Sequence, residues 1–271
     1  MRIKKMTKIQ YYKEDVGALG YQERQNNLAV RIHANKQFSN FNLESWIENN
    51  LDLKPGAMLL DLGCGNGNLF PIFSKKLGER GVIVGIDKSA ELLSEAKNKS
   101  STNKILLEWD MNGRMPFFDE NFDYVISSFA IYYVNNVVEI VKEIKRVLCT
   151  YGKVFLIGPT DNNAKELYEF NEKVFGFGRD DKIDKRTNRL ENEFYPVFSA
   201  HFANVTIEKI PGKLIFPGRS EFLKYYAATL LFEESVKKCG FKPHVEALIP
   251  RGVSSIEVSK EMIILSGCKN G

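Results

Sequence analysis

Residues 59–70 read LLDLGCGNGNLF. An apolar run ends at Asp61, Gly63, Gly65 and Gly67 follow at alternate positions, and a helix-like segment, LFPIFSKKL, begins at Leu69. Glycine tolerates positive φ and lets a ligand approach bare backbone. A strand, a glycine turn and a helix in succession is how open α/β folds hold nucleotides. The rest of the chain must decide which nucleotide is held, and for what chemistry.

Outward from this stretch, between about residues 57 and 158, short apolar runs alternate with helical patterns. AMLLDLG, GVIVGID, KILLEWD, FDYVISSF and GKVFLIG read as strands covered on both faces. SAELLSEAKN and NNVVEIVKEIKRVL read as helices between them. The second carries apolar residues at Val137, Ile140, Val141, Ile144, Val147 and Leu148, and Asn136 with Glu139 resembles a capping box at its start. Such alternation implies right-handed crossovers and a mainly parallel sheet. Before it, Ala18 to Lys36 and Leu43 to Asn50 read as helices. After it come helical Asn163 to Phe175, the polar GFGRDDKIDKRTNRLE, helical EFYPVFSAHF, strand-like NVTIEKIPGKLIF, a helix from Ser220 to Lys238 and the strand SSIEVSKEMIILSG. The last helix interrupts what reads as a terminal antiparallel strand pair.

The glycine spacing disfavours one common ligand. A dinucleotide fingerprint needs G-x-G-x-x-G, whereas the third position counted from Gly63 is Asn68, and the glycines run G-x-G-x-G. Three acids, Asp61, Asp87 and Asp110, close the first, second and third strands. They share the carboxyl edge at which open α/β sheets bind ligands, and an acid after the second strand suits ribose hydroxyls.

LLDLGCGNGNL, VGIDKS, WDMNGRMPF, FDYVISSFAIYYV and IKRVLCTYGKVFL, in this order, resemble the successive motifs of class I S-adenosylmethionine-dependent methyltransferases, in the small-molecule branch grouped as methyltransferase type 11. The resemblance covers roughly residues 55–160. It implies a Rossmann-like, doubly wound, mainly parallel seven-stranded sheet with N-terminal helices and a helical lid inserted in the C-terminal part. Within one globular unit, it implies a cap at 1–54, a cofactor-binding core at 55–160, and a completion of the sheet with a substrate lid at 161–271. S-adenosyl-L-methionine is the implied cofactor, with S-adenosyl-L-homocysteine as product.

The same resemblance sets Gly63 and Gly65, with Cys64 and Asn68 of the same loop, against the methionine portion of the cofactor, and Asp61 toward its amino group. Asp87 is expected on the ribose hydroxyls with Lys88 beside the adenine, Asp110 on the adenine amino group, and the Met111 amide on a ring nitrogen. Ser127, Ser128 and Phe129 are expected at the sulfonium end. Where the family often has a His pair, this chain has Tyr132 and Tyr133. Tyr133, Arg31, His33 and Tyr21 are the residues expected to face the substrate. Tyr11, Tyr12 and Arg24 belong to the same N-terminal segment, and Phe222, Tyr225 and Tyr226 are either lid or core. No catalytic residue is named by the pattern. The cofactor carries the activated methyl group, and a base is needed only when the acceptor must lose a proton.

Composition bounds the alternatives. The 271 residues are 44% hydrophobic and 27% charged, with net charge +4, well short of the basic footprint of a dedicated nucleic-acid binder. Cys64, Cys149, Cys239 and Cys268 are scattered, which argues against a zinc site or disulfide framework. No apolar stretch suits a membrane span, and the N-terminus lacks the apolar region of a signal peptide. A cytoplasmic monomer or homodimer acting on a small molecule is expected. An RNA-modifying methyltransferase is one alternative, although GRDDKIDKRTNR balances five basic residues with three acids and SSFAIYY lacks the proline signature of amino-directed nucleic-acid enzymes. A non-catalytic S-adenosylmethionine-binding protein is the other. His201 and His244 read as surface or structurally satisfied residues.

Overall fold

The apolar run at residue 58 becomes an inner strand of a seven-stranded sheet. The computed structural model describes residues 25–99, 103–179, 186–240, 249 and 252–271. In it β1 (Met58–Leu62) pairs in parallel with β2 (Val82–Asp87) on one side and β4 (Phe122–Ser128) on the other. β3 (Lys104–Glu108) extends the sheet beyond β2, and β5 (Leu148–Pro159) extends it beyond β4. The order is β3-β2-β1-β4-β5-β9-β6, with β9 (Met262–Cys268) antiparallel to both β5 and β6 (Ala203–Ile210). The strand order reverses between β1 and β4. Adjacent crossovers leave the sheet on opposite faces there, which opens a crevice at the carboxyl ends.

Leu59, Leu60, Val84, Val125 and Ile126 are completely buried, because helices cover both faces. On one face pack α2 (Leu43–Asn50), α3 (Phe70–Leu77) and α4 (Ala90–Ala96), with Ile47, Phe70, Phe73 and Ala96 in the core. On the other, α5 (Val137–Val147) buries the predicted stripe of Val137, Ile140, Val141, Ile144 and Val147. Each such side chain contributes about 1.5–3 kcal/mol when fully buried. Leu148, read as the end of this stripe, instead starts β5. Only half of the expected capping box forms. Asn136 accepts from the Val138 and Glu139 amides at 3.0 and 3.2 Å, while the Glu139 carboxylate pairs with Lys142 at 3.5 Å.

The C-terminal third differs from expectation in three places. RTNRLE, read as polar loop, is helical, with a π-helical turn at Leu190–Phe194 running into α7 (Tyr195–His201). The single helix expected over Ser220–Lys238 is two, α8 (Arg219–Ala227) and α9 (Leu230–Cys239). Thr229 makes the break, since its hydroxyl donates to the Tyr226 carbonyl at 2.6 Å and accepts from the Phe232 amide at 3.3 Å, capping α9. Finally, SSIEVSKEMIILSG is two strands. β8 (Ile256–Ser259) leaves the main sheet to pair with β7 (Lys213–Phe216), and only β9 returns to it.

α1 (Gln25–Phe38) does not stand apart from this inserted unit. Ala34 shares a hydrophobic cluster with Leu214, Phe216, Phe222, Tyr225, Tyr226 and, from α6 (Lys165–Phe175), Leu167. Asn40 and Lys213 exchange hydrogen bonds of 3.0 and 2.7 Å where α1 ends. Phe222 and Tyr226 are therefore core residues, and the Tyr226 hydroxyl donates to a buried Asn171 at 2.6 Å. The N-terminal helix and the late insertion together wall the crevice.

Candidate active site

The glycine loop is bound back onto β2. The amides of Gly63 and Cys64 donate to the Ile86 carbonyl at 2.8 and 3.0 Å, and Asn66 donates to Glu95 on α4 at 3.1 Å. Gly63 has φ +71°, and a Cβ there would sit 2.3 Å from the Ala130 Cβ. Glycine at this position lets the β1 and β4 loops touch. Gly65, at φ +53°, has a different reason: a Cβ would meet only Leu92, at 3.9 Å, so the space it faces is open. Gly67 leaves room for the Phe70 ring, which is packing within the fold.

Around this loop lies a cavity of about 1460 Å³. That exceeds the roughly 300–1,000 Å³ typical of a single-ligand pocket and suits two molecules. Asp61, Asp87 and Asp110 all line it. Asp61 is buried and no group among the described residues hydrogen-bonds its carboxylate. Burial, aided by the charge of Asp87, pushes its pKa up to about 7. Asp87 is fixed by the Gly65 and Ser89 amides, each at 2.9 Å on a different oxygen. Burial still holds its pKa above the usual range, against the pull of those two amides. Asp110 is oriented through one oxygen, which accepts from the Asn112 amide and side chain at 2.9 and 2.8 Å.

Cys64, Asn68, Lys88 and Met111 line the same cavity, as do Ser128, Phe129, Tyr133 and Arg31. Burial raises the Cys64 thiol well above its ordinary pKa, so it is no nucleophile at neutral pH. Two expected residues are not brought to the cleft. Ser127 is fully buried and its hydroxyl donates to the Leu62 carbonyl at 2.8 Å, because the strand alternation turns it inward to tie β4 to β1. His33 is exposed on α1 and does not line the cavity. Tyr21, with Tyr11, Tyr12, Arg24 and His244, lies outside the described residues.

Sequence reasoning missed several groups that the tertiary structure delivers here. Lys260, Asn163, Tyr168 and Trp109 line the cavity. The indole nitrogen of Trp109 and the amide oxygen of Asn163 are buried without a partner. Burial pushes the Tyr168 hydroxyl up to about 12 and the Lys260 amine down to about 8, the latter with help from Arg31. Arg189, almost wholly buried, donates to the carbonyls of Tyr132 (2.9 Å) and Val134 and so fixes the turn that presents Tyr133. Apart from Trp109, which opens WDMNGRMPF, none belongs to a motif, and no spacing signal marks them. Among the described residues no helix is long and apolar enough to cross a membrane, and no cluster of His, Cys, Asp and Glu is arranged to hold a metal.

Comparison with known proteins places this geometry. Residues 60–156 match a family model described as a methyltransferase domain. The demethylmenaquinone methyltransferase of Bacillus cereus is 33% identical over 110 residues, covering 40% of this chain and 46% of the relative. The chain thus matches about half the length of that curated relative. Among solved structures, the YcgJ protein of Bacillus subtilis superposes with a TM-score of 0.55 at 18% identity, covering 84% of this chain and 98% of that one. Phosphoethanolamine N-methyltransferase 2 of Haemonchus contortus, solved with phosphomonomethylethanolamine and S-adenosylhomocysteine, gives 0.51 at 17% identity, covering 91% and 52%. At these identities the structural likenesses speak for the fold.

Proposed function

We propose that this chain, whose residues 60–156 match a methyltransferase-domain model, is a class I methyltransferase that uses S-adenosylmethionine to methylate a small-molecule acceptor. The observation that carries the reading is the convergence of Asp61, Asp87 and Asp110 on the open space in front of Gly65. The residues fit the cofactor on three counts. An unpartnered buried carboxylate at Asp61 calls for a cation, which the ammonium of the methionine moiety provides. Asp87, with each oxygen anchored by one amide, keeps lone pairs for two ribose hydroxyls. Asp110 keeps one oxygen for the adenine amino group.

When bound, S-adenosylmethionine supplies a methyl group already activated on a sulfonium centre. The chain's task is to hold and align the acceptor and to exclude water, a proximity effect. In this reading Gly63, Cys64, Gly65 and Asn68 border the methionine portion. Lys88 and the Met111 amide border the adenine, and Ser128 and Phe129 border the sulfonium end. Tyr133 and Arg31 face the acceptor. Residues 55–160 serve as the cofactor-binding core, and 1–54 with the insertion in 161–271 serve as cap and lid. A small acceptor is supported by the walled crevice, and by the name of the Bacillus cereus relative, which points to a quinone.

The test is a thermal-shift comparison of S-adenosylhomocysteine, S-adenosylmethionine, NAD and NADP at equal concentration. A ligand that binds only the folded state adds about 2.7 kcal/mol at a hundred times its Kd. Stabilisation by the two sulfur nucleosides alone is the expected result. A shift with a dinucleotide alone, or with none of the four, refutes the proposal.

A further inference from the structure

The backbone around Lys260, in the turn between β8 and β9, is held from three sides. On α6, the Glu166 carboxylate accepts from the amide and the hydroxyl of Ser259, each at 2.7 Å. The Lys260 amide donates to the Gly212 carbonyl at 2.7 Å. After β5, the Ala164 amide donates to the Ser259 carbonyl at 2.8 Å, and Glu261 accepts from the Thr160 hydroxyl at 2.6 Å and the Asn162 side chain at 3.1 Å. The two carboxylates that flank this turn are thus engaged in the fold. The Lys260 side chain lines the cavity, where its amine lies 5.3 Å from the centroid of the Phe129 ring. That amine has no hydrogen-bond or ion-pair partner among the described residues.

A buried amine so placed carries a charge poorly. Burial lowers its pKa to about 8, and the charge of Arg31 on α1 adds a smaller push in the same direction. Among the described residues no other charged group acts on it, and Lys209 on β6 pairs with Glu191 at 2.7 Å. In the cofactor reading Phe129 borders the sulfonium end, so a loaded cleft sets a positive charge near the amine and disfavours the ammonium further. Methyl transfer removes that charge. A proton arriving on Lys260 in the same event leaves the net charge of the site unchanged, which a desolvated chamber favours. A base of this strength suits an acceptor acid of similar strength, such as an aromatic hydroxyl. Phe129, Tyr133, Tyr168 and Tyr225 wall the same cavity, and such surfaces receive a planar ring.

We propose that Lys260 is the catalytic base, taking the proton of an aromatic hydroxyl on the acceptor as that oxygen is methylated. The O–H bond breaks toward the Lys260 nitrogen, whose lone pair takes the proton. An oxygen lone pair forms the new O–C bond, and the C–S bond breaks with its electron pair left on sulfur. The ammonium afterwards yields its proton to water. The assignment rests on the methyltransferase reading.

The first test reads Lys260 itself, by acetylation with an N-hydroxysuccinimide ester across pH and peptide mass spectrometry of the full chain. With S-adenosylhomocysteine bound, half-maximal reactivity is expected near pH 8, below the value of about 10.4 for an exposed lysine. With S-adenosylmethionine it is expected at least about half a pH unit lower, because the sulfonium charge is added. Reactivity that titrates with exposed lysines, or that ignores the sulfonium, overturns Lys260 as the base. The second test follows methyl transfer to 4-nitrophenol and 2-naphthol. Lys260→Met and Lys260→Arg, the latter a cation that keeps its proton, are each expected to lose about a hundredfold or more in kcat, together with the pH inflection. Stabilisation by S-adenosylhomocysteine is expected to persist in both. Either variant retaining the wild-type rate overturns the base, and so does loss of that stabilisation, which would place Lys260 in the fold. No transfer to either phenol by the wild type overturns the aromatic-hydroxyl acceptor. Failure of S-adenosylhomocysteine to stabilise the wild type overturns the methyltransferase reading, and the proposal with it.

Discussion

Replacing Asp61 with asparagine is expected to stabilise the ligand-free protein while weakening its hold on the cofactor. The carboxylate sits at the end of β1, almost wholly buried and without a hydrogen-bond donor among the described residues, and its pKa is raised to about 7. An aspartate in the unfolded chain titrates near about 3.9. Below that value both states are protonated and the group adds nothing. Between about 4 and about 7 the folded state binds more protons, so stability falls as pH rises. Above about 7 the penalty is fully developed, at about 4 kcal/mol, whereas at about pH 5 it is only about 1.5 kcal/mol. The asparagine removes this penalty and adds a cost of about 1–3 kcal/mol for an unpaired buried amide, independent of pH. The diagnostic quantity is therefore the pH difference. The variant gains about 2.5 kcal/mol relative to wild type between about pH 5 and about pH 8.5, or about 5 °C in Tm. Thermal melts of both proteins at the two pH values measure it directly. Repeating them with S-adenosylhomocysteine reads the opposite effect. Its ammonium holds Asp61 ionised, so wild-type affinity falls up to about tenfold per pH unit below about 7, and the variant's is weak and flat. A change in Tm that is the same at both pH values refutes the claim that a desolvated charge sits at position 61.

Two further substitutions separate roles that the motif alone runs together. Gly63→Ala is expected to cost several kcal/mol of stability, since its Cβ would lie 2.3 Å from that of Ala130, while Gly65→Ala carries only the left-handed strain of about 1–2 kcal/mol. Gly65→Ala should fold yet lose cofactor stabilisation in a thermal-shift assay, and equal destabilisation by the two would show that the loop geometry is misassigned. Arg189→Met should cost about 2–4 kcal/mol in chemical denaturation, because it strands the buried carbonyls of Tyr132 and Val134. A loss below about 1 kcal/mol would remove Arg189 as the support of the Tyr133 turn.

The sequence by itself determined the half of this protein in which local pattern and tertiary role coincide. A strand buried on both faces must be apolar throughout, so β1, β2, β4 and β5 are visible as runs, and α5 shows its stripe because one face alone meets the sheet. LLDLGCGNGNLF is legible because strand, turn and helix follow one another within twelve residues. The acids at the carboxyl ends of β1, β2 and β3 come together by the right-handed crossover rule alone, before any long-range contact is known.

What lay beyond that reach depends on contacts between segments far apart in the chain. Ser127 and Ser128 are adjacent and chemically identical, and only the pleat of β4 against β1 decides that one ties the sheet and the other faces the cleft. The break at Thr229 is set by a side chain choosing a local carbonyl over continuation of the helix. Lys260 reads in sequence as an ordinary turn lysine beside a glutamate. It becomes part of the cleft because β8 pairs with β7, β9 returns between β5 and β6, and Glu261 is drawn off to Thr160. Arg31 comes within electrostatic reach of it because α1 buries Ala34 against the inserted aromatic cluster. Short-range periodicity encodes which face of an element is apolar. Which distant charge arrives beside another is decided only when the hydrophobic faces of those elements find one another.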